Sequence, residues 1–152
     1  MRSHPSLDPA TVAAVQRCTC FNLRKAARAV TQYYDEVLRP SGLRATQFSL
    51  LMVLRAAGPQ RITELAEKAV MDRTTLKRNL DLLERERLVR IQAGEDARVR
   101  EVSLTDAAVR RLDAALPYWE QAHAQVRGKL GRGRQERLLA DLSAAVEAAR
   151  PD

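Results

Sequence analysis

The stretch from Asp72 to Thr105 constrains the fold most. Leu76, Leu80 and Leu83 recur at i, i+4 and i+7, the spacing of one buried helical stripe. Asp72 stands where an N-cap belongs. At about 100° per residue, Thr74, Arg78, Asp81 and Arg85 fall opposite the leucines, with Lys77 and Thr75 flanking that outer face. The pattern then changes period. Val89 to Gln92 and Val99 to Ser103 alternate as strands around Gly94-Glu95-Asp96, which reads as a hairpin with a polar tip. A capped helix with a basic outer face followed by a short wing can engage two grooves of a duplex at once.

Upstream elements complete that lobe. A helix is expected over about Thr46 to Ala57, stopped by Gly58-Pro59. Ile62 is assigned to a very short extended piece, and Thr63 is expected to cap the two-turn helix Glu64 to Ala69. After a tight turn at Val70-Met71, Asp72 opens the next helix, so the pair forms a helix-turn-helix. The flanks read as helical arms. Asp8-Pro9 gives a cap and a first-position proline, Leu7 and Val12 are placed as a hydrophobic staple, and one helix is expected to continue to Leu38, ending at Pro40 and Gly42. A helix that long needs more than one body to bury its faces, which points to a dimer. Beyond the wing, a helical region runs from about Thr105 to Leu130. Pro117 is expected to kink or interrupt it. Gly128, Gly131 and Gly133 mark a loop, and a closing amphipathic helix covers about Gln135 to Ala149.

The fold class is therefore mainly α with a small β-wing: a winged helix-turn-helix with N- and C-terminal helical arms. All 1–152 residues form one domain, with 8–40 and 105–149 as dimerisation helices and 44–104 as the DNA-binding lobe. The balance of 26 Lys+Arg against 19 Asp+Glu, net +7, favours a polyanionic partner. No apolar run reaches the roughly 20 residues of a membrane span, and the N-terminus lacks a signal-peptide pattern, so a cytoplasmic protein without membrane association is expected. Cys18-Thr19-Cys20 is no disulfide framework. Paired carboxylates, a Ser/His/Asp set and a phosphate loop at supporting spacing are absent, so no catalytic residues and no cofactor are expected. His4 and His123 lack companions for a metal site, and Tyr118 and Trp119 read as packing.

In a helix-turn-helix, the N-terminal residues of the second helix meet base edges. Here these are Arg73, Thr74, Thr75, Lys77 and Arg78. Arg can bond guanine in a bidentate manner, and Thr can meet a thymine methyl or a phosphate. Arg98 at the wing tip suits a narrow minor groove, and Asp96 is expected to hold its guanidinium.

Several of these pieces together resemble the MarR family of bacterial transcriptional regulators: Gly42-Leu43, Gln47-Phe48, Thr63-Glu64-Leu65-Ala66, Thr74-Thr75-Leu76, Leu83-Glu84-Arg85, Leu88-Val89-Arg90, Asp96-Ala97-Arg98 and Leu104-Thr105. The resemblance covers about residues 10–149. It departs in the turn, where many members carry a glycine and this chain reads Ala69-Val70-Met71. It implies a homodimer built from the terminal helices, double-stranded DNA with a palindromic operator as partner, and release of DNA by a ligand or oxidant.

The first helix resembles the organic-hydroperoxide-sensing branch through Cys20-Phe21-Asn22-Leu23 and Tyr33-Tyr34. That likeness implies a reactive thiol at Cys20 with Tyr34 near it. Arg24 stands where that branch has another tyrosine, and Ala45 lies near the place of a third. On a continuous helix, Arg24 shares the face of Cys20, which favours a thiolate, while Cys18 points about 160° away. Cys20, Arg24, Tyr33 and Tyr34 are thus the candidate ligand or redox residues. The leading expectation is a repressor released by a small aromatic or carboxylate effector, for which Arg17 and Arg28 could add charge. A thiol-based oxidant sensor using Cys20 and a protein-interaction module that does not bind DNA are the alternatives.

Overall fold

Leucines organise the lobe that carries the helix-turn-helix. The computed structural model describes residues 7–150 apart from 95 and 97, so His4 and Glu95 of the expected wing turn lie outside the described residues. Helices α1 (Pro9–Gln16) and α2 (Thr19–Leu38) lead through a short 3-10 turn to α3 (Ala45–Ala57). Strand β1 (Gln60–Arg61), helices α4 (Ile62–Ala69) and α5 (Arg73–Arg85), and strands β2 (Val89–Ala93) and β3 (Arg100–Leu104) follow. Helices α6 (Asp106–Leu130) and α7 (Arg132–Ala148) close the chain. Leu51 and Leu54 of α3, Leu65 of α4, the three stripe leucines of α5 and Leu112 of α6 share one buried core. Each such side chain contributes roughly 1.5–3 kcal/mol by leaving water.

The sheet is antiparallel in the order β1-β3-β2. Val89 pairs with Leu104 and Ala93 with Arg100, while β1 adds Gln60 opposite Val102. Strand β1 takes only two residues because Arg61 is already the N-cap of α4. Two expectations change as a result. Ile62 is the first residue of α4 rather than an extended residue, and Thr63 lies inside the helix rather than capping it. The chain enters from an extended strand, so the cap falls at its last residue, Arg61, whose N–H donates to Glu64 Oε2 at 3.4 Å.

The long first helix is broken. Asp8 caps α1, its Oδ1 accepting the Ala10 N–H at 2.8 Å, but α1 ends at Gln16 and Cys18 adopts an extended conformation as N-cap of α2. Asn22 explains how the break is tolerated. Its side-chain amide donates to the Gln16 and Cys18 carbonyls at 2.8 and 2.9 Å, meeting acceptors that the break exposes. Cys18, Thr19 and Cys20 are weak helix formers, so little is lost there. Cys18 is consequently not on the helical wheel of Cys20. The staple residues Leu7 and Val12 are both exposed.

The second arm is more continuous than expected. Thr105 caps α6 by accepting the Ala108 N–H at 3.2 Å, and its hydroxyl donates to the Arg87 carbonyl at 2.7 Å. Of the two outcomes expected at Pro117, interruption does not occur: α6 continues through it as one helix. Leu112, Ala115 and Ala122 are buried on both sides of it, and this packing offsets the missing hydrogen bond. Of the three glycines, only Gly131 (φ +82°) forms the joint, while Gly128 lies in α6 and Gly133 in α7. Helix α7 buries no residue. No helix among the described residues is long and apolar enough to cross a membrane.

Candidate nucleic-acid interface

Helix α5 is fixed at its start and along one side. Asp72 is extended, and its Oδ1 accepts the Thr75 N–H at 2.9 Å while the Thr75 hydroxyl donates to Oδ2 at 2.6 Å. The hydroxyl bond first, and the backbone bond second, hold the Asp72 carboxyl below its ordinary range. With Leu76, Leu80 and Leu83 buried, the rotation of α5 is set. Arg73, Thr74, Thr75, Lys77 and Arg78 are all exposed. Their states differ. The Thr75 hydroxyl proton is used inside the cap, and the Lys77 ammonium sits 2.7 Å from Asp81, one turn on.

The turn before α5 is closed without glycine. Val70 takes the left-handed conformation (φ 50°, ψ 45°), and the Met71 N–H donates to the Ala66 carbonyl at 2.9 Å. The geometry is the one glycine supplies at no steric cost, held here by a β-branched residue at a cost in strain.

At the wing, the Gly94 N–H donates to the Val99 carbonyl, and the Val99 N–H to the Asp96 carbonyl, both at 2.8 Å. Asp96 does not hold the Arg98 guanidinium as expected. Its Oδ1 accepts the Arg98 backbone N–H at 2.9 Å. An aspartate two residues ahead of a backbone donor closes an Asx-type turn more readily than it reaches a long side chain. Asp96 thus shapes the tip, and Arg98 is exposed. The Glu84 carboxylate ties the wing to α5 by accepting the Ile91 N–H at 3.2 Å.

These pieces surround one cleft of about 570 Å³, lined by Arg73 and Lys77 of α5, Arg98 and Arg100 of the wing, and Arg61 at the start of α4. Thr74 and Arg78 stand on α5 outside its lining. The reading of the sequence missed Arg61 and Arg100. Arg100 was accessible from the pattern, because it lies in the expected second strand of the wing, two residues beyond Arg98, and it is the first residue of β3. Arg61 had no local signal, since only the β1–β3 pairing brings it to the wing.

The candidate sensing residues are not gathered in the same way. Cys20 and Arg24 are exposed, as are Arg17 and Arg28. Tyr33 and Tyr34 meet edge to face with centroids 6.0 Å apart. Tyr34 packs on the core, and burial, then Tyr33, pushes its hydroxyl pKa up. The Tyr33 hydroxyl donates to Gln125 Oε1. Tyr33 borders a cleft of about 230 Å³ with Ala29, Val30, Gln125, Val126 and Lys129, so the cation there is Lys129 rather than one of the arginines. Trp119 stacks between Phe48 and His123, with centroids at 6.1 and 5.0 Å. Among the described residues, no group of three His, Cys, Asp or Glu is placed to hold a metal.

Comparison with known proteins agrees with this architecture. The profile of the MarR family matches residues 43–99. The crystal structure of the Mycobacterium tuberculosis transcriptional regulator MosR in complex with DNA superposes with a TM-score of 0.79 at 42% identity, covering 89% of this chain and all of that one. The Bacillus subtilis HTH-type transcriptional regulator YwoH is 30% identical over 65% of this chain and 72% of its own length. The Pseudomonas putida HTH-type transcriptional repressor NicR is 29% identical over 77% of this chain and 75% of its own. With its winged lobe, its capped α5 and these relatives, the chain belongs to the MarR family of DNA-binding transcriptional regulators.

Proposed function

We propose that the protein is a homodimeric repressor that reads a palindromic operator through α5 and the wing of each protomer. The observation that carries this reading is the shared cleft, where Arg73 and Lys77 of α5, Arg98 of the wing and Arg61 at the start of α4 come together. Residues 44–104 form the reading lobe. Residues 8–40 and 105–149 form the dimerisation arms, a role supported by Leu138, Leu139, Leu142 and Val146 of α7 and by Phe21, Leu23 and Val30 of α2, all exposed in the single chain. The naming of NicR as a repressor favours repression over activation.

Binding is tested by gel shift on the chain's own upstream region. Arg98→Ala weakens binding and lowers the slope of log affinity against log salt by about 0.9 for a lost phosphate contact. Arg73→Ala costs about 1–3 kcal/mol and relaxes the preference at one base pair. Unchanged affinity and slope in both variants would overturn the assignment and favour a protein-interaction module.

For release, the cleft between α2 and α6 suits a single aromatic ring, being smaller than the roughly 300–1,000 Å³ of drug-sized sites. Lys129 would meet a carboxylate and the Tyr33–Gln125 pair a hydroxyl. Benzoate-type acids should release DNA from the wild type and not from Lys129→Ala. A second reading rests on the exposure of Cys20: peroxide releases the wild type but spares Cys20→Ser. Equal release by peroxide from both sinks it.

A further inference from the structure

The reading lobe, residues 44–104, has 12 cations against nine carboxylates, so it carries only +3 of the net +7. Segments 17–29 and 121–137 hold nine of the 26 cations and one of the 19 carboxylates, so they carry +8 and leave the rest of the chain at −1. The fold brings the two segments together. Leu38 at the end of α2 packs with Leu112 and Ala115 early in α6, while Tyr33 bonds Gln125 further on. The helices are therefore antiparallel, and the start of α2 lies beside the α6–α7 joint. Every cation in both segments is exposed. Among the described residues, none of Arg127, Lys129, Arg132 and Arg134 is in an ion pair.

A second observation points to a ligand. The four cations alternate with Gly128, Gly131 and Gly133. Gly131 needs its positive φ, but Gly128 and Gly133 are helical, and an added Cβ would meet nothing within 4 Å at Gly128 and only the Arg137 guanidinium at 3.7 Å at Gly133. In a helix interior each would cost about 1 kcal/mol relative to alanine, and in these end turns each costs part of that. Nothing in the fold repays this. Bare backbone between arginines does let an extended polyanion approach closely.

We propose that the α6–α7 joint is a second DNA-binding surface, which grips the phosphates of a duplex other than the one held by the reading lobes. The 25 residues of α6 put the joint about 37 Å from the base of the wing, beyond the thickness of one duplex. Segment 127–137 exposes no large apolar side chain. A protein partner needs such anchors, whereas phosphate contacts need only charge. Arginine's planar fork also suits phosphate. A dimer so equipped holds two DNA segments together.

The test is capture of a fluorescent mixed-sequence duplex by protein bound to a bead-tethered duplex carrying the chain's own upstream region. The wild type captures it. The triple variant Arg127→Gln, Arg132→Gln, Arg134→Gln loses capture at least about tenfold, with a salt slope smaller by up to about 2.7 at 0.9 per phosphate. Its affinity for the tethered duplex changes less than about twofold, as for distant sites. Arg127→Lys, Arg132→Lys, Arg134→Lys retains capture, which separates charge from folding. Equal capture by wild type and the glutamine variant overturns the proposal. So does a glutamine variant that loses RNA or polyglutamate binding while still capturing the duplex.

Discussion

The reading lobe and the helical arms bury their side chains in opposite ways. In the lobe, Leu51, Leu65, Leu76 and Leu83 are fully buried within one chain. In the arms, α1 and α7 bury nothing, and α2 buries only Leu38. The lobe closes its core within one chain, with Leu38 of α2 and Leu112 of α6 as part of it, whereas α1, α7 and most of α2 present apolar side chains that one chain leaves in water. The same composition of leucine and alanine thus serves intramolecular folding in one region and, in the dimer proposed above, association in the other.

The sharpest way to break this contrast is to truncate one leucine in each region. Leu76→Ala should cost the lobe about 2–5 kcal/mol in denaturant unfolding. Leu139→Ala, at an exposed position, should move the unfolding of the lobe by no more than about 0.5 kcal/mol. Paired with Leu142→Ala, it should instead raise the dimer dissociation constant at least about tenfold in sedimentation. A large unfolding effect from α7 with unchanged association would erase the distinction.

Acid probes the lobe alone. The folded pKa of Asp72 lies below its unfolded value, so its stabilising contribution is present above the ordinary carboxylate range and is lost as pH falls through the folded value. The melting temperature of the lobe should drop over that window, and less steeply in Asp72→Asn. Identical pH profiles would show that the cap contributes nothing through its charge. The smallest effect is expected at Val70. Relief of its left-handed conformation, about 1–2 kcal/mol, is offset by glycine's entropy of roughly 0.5–1. Val70→Gly should therefore stabilise by up to about 1.5 kcal/mol, measured in urea.

What the sequence made legible follows the same division. The leucine stripe of α5, the Asp72 cap and the strand pairing around Gly94 rest on local rules of period and turn chemistry, and the structure has each of them. The errors arose where local and tertiary preferences compete. The break at Cys18 depends on Asn22 reaching back to two carbonyls. The continuity of α6 through Pro117 depends on packing from both flanks. In the cleft, Arg73, Lys77 and Arg98 could be read from helix and wing, but Arg61 arrives by a two-residue strand pairing that carries no periodic signal. The sensing residues were the least legible, since the Tyr33–Gln125 pair spans 92 positions.

The uninterrupted α6 has a mechanical consequence. It spans about 37 Å along its axis from the base of the wing, where Thr105 roots it, to the α6–α7 joint, so a tilt at one end is carried to the other. A tilt of about 5° at its far end swings the wing by about 3 Å, close to the 3.4 Å rise of one base along a strand. Two such helices turning in opposite senses would put a pair of reading heads out of step with the duplex by nearly two bases. A change too small to disturb the packing of any one helix is then large enough to lose an operator.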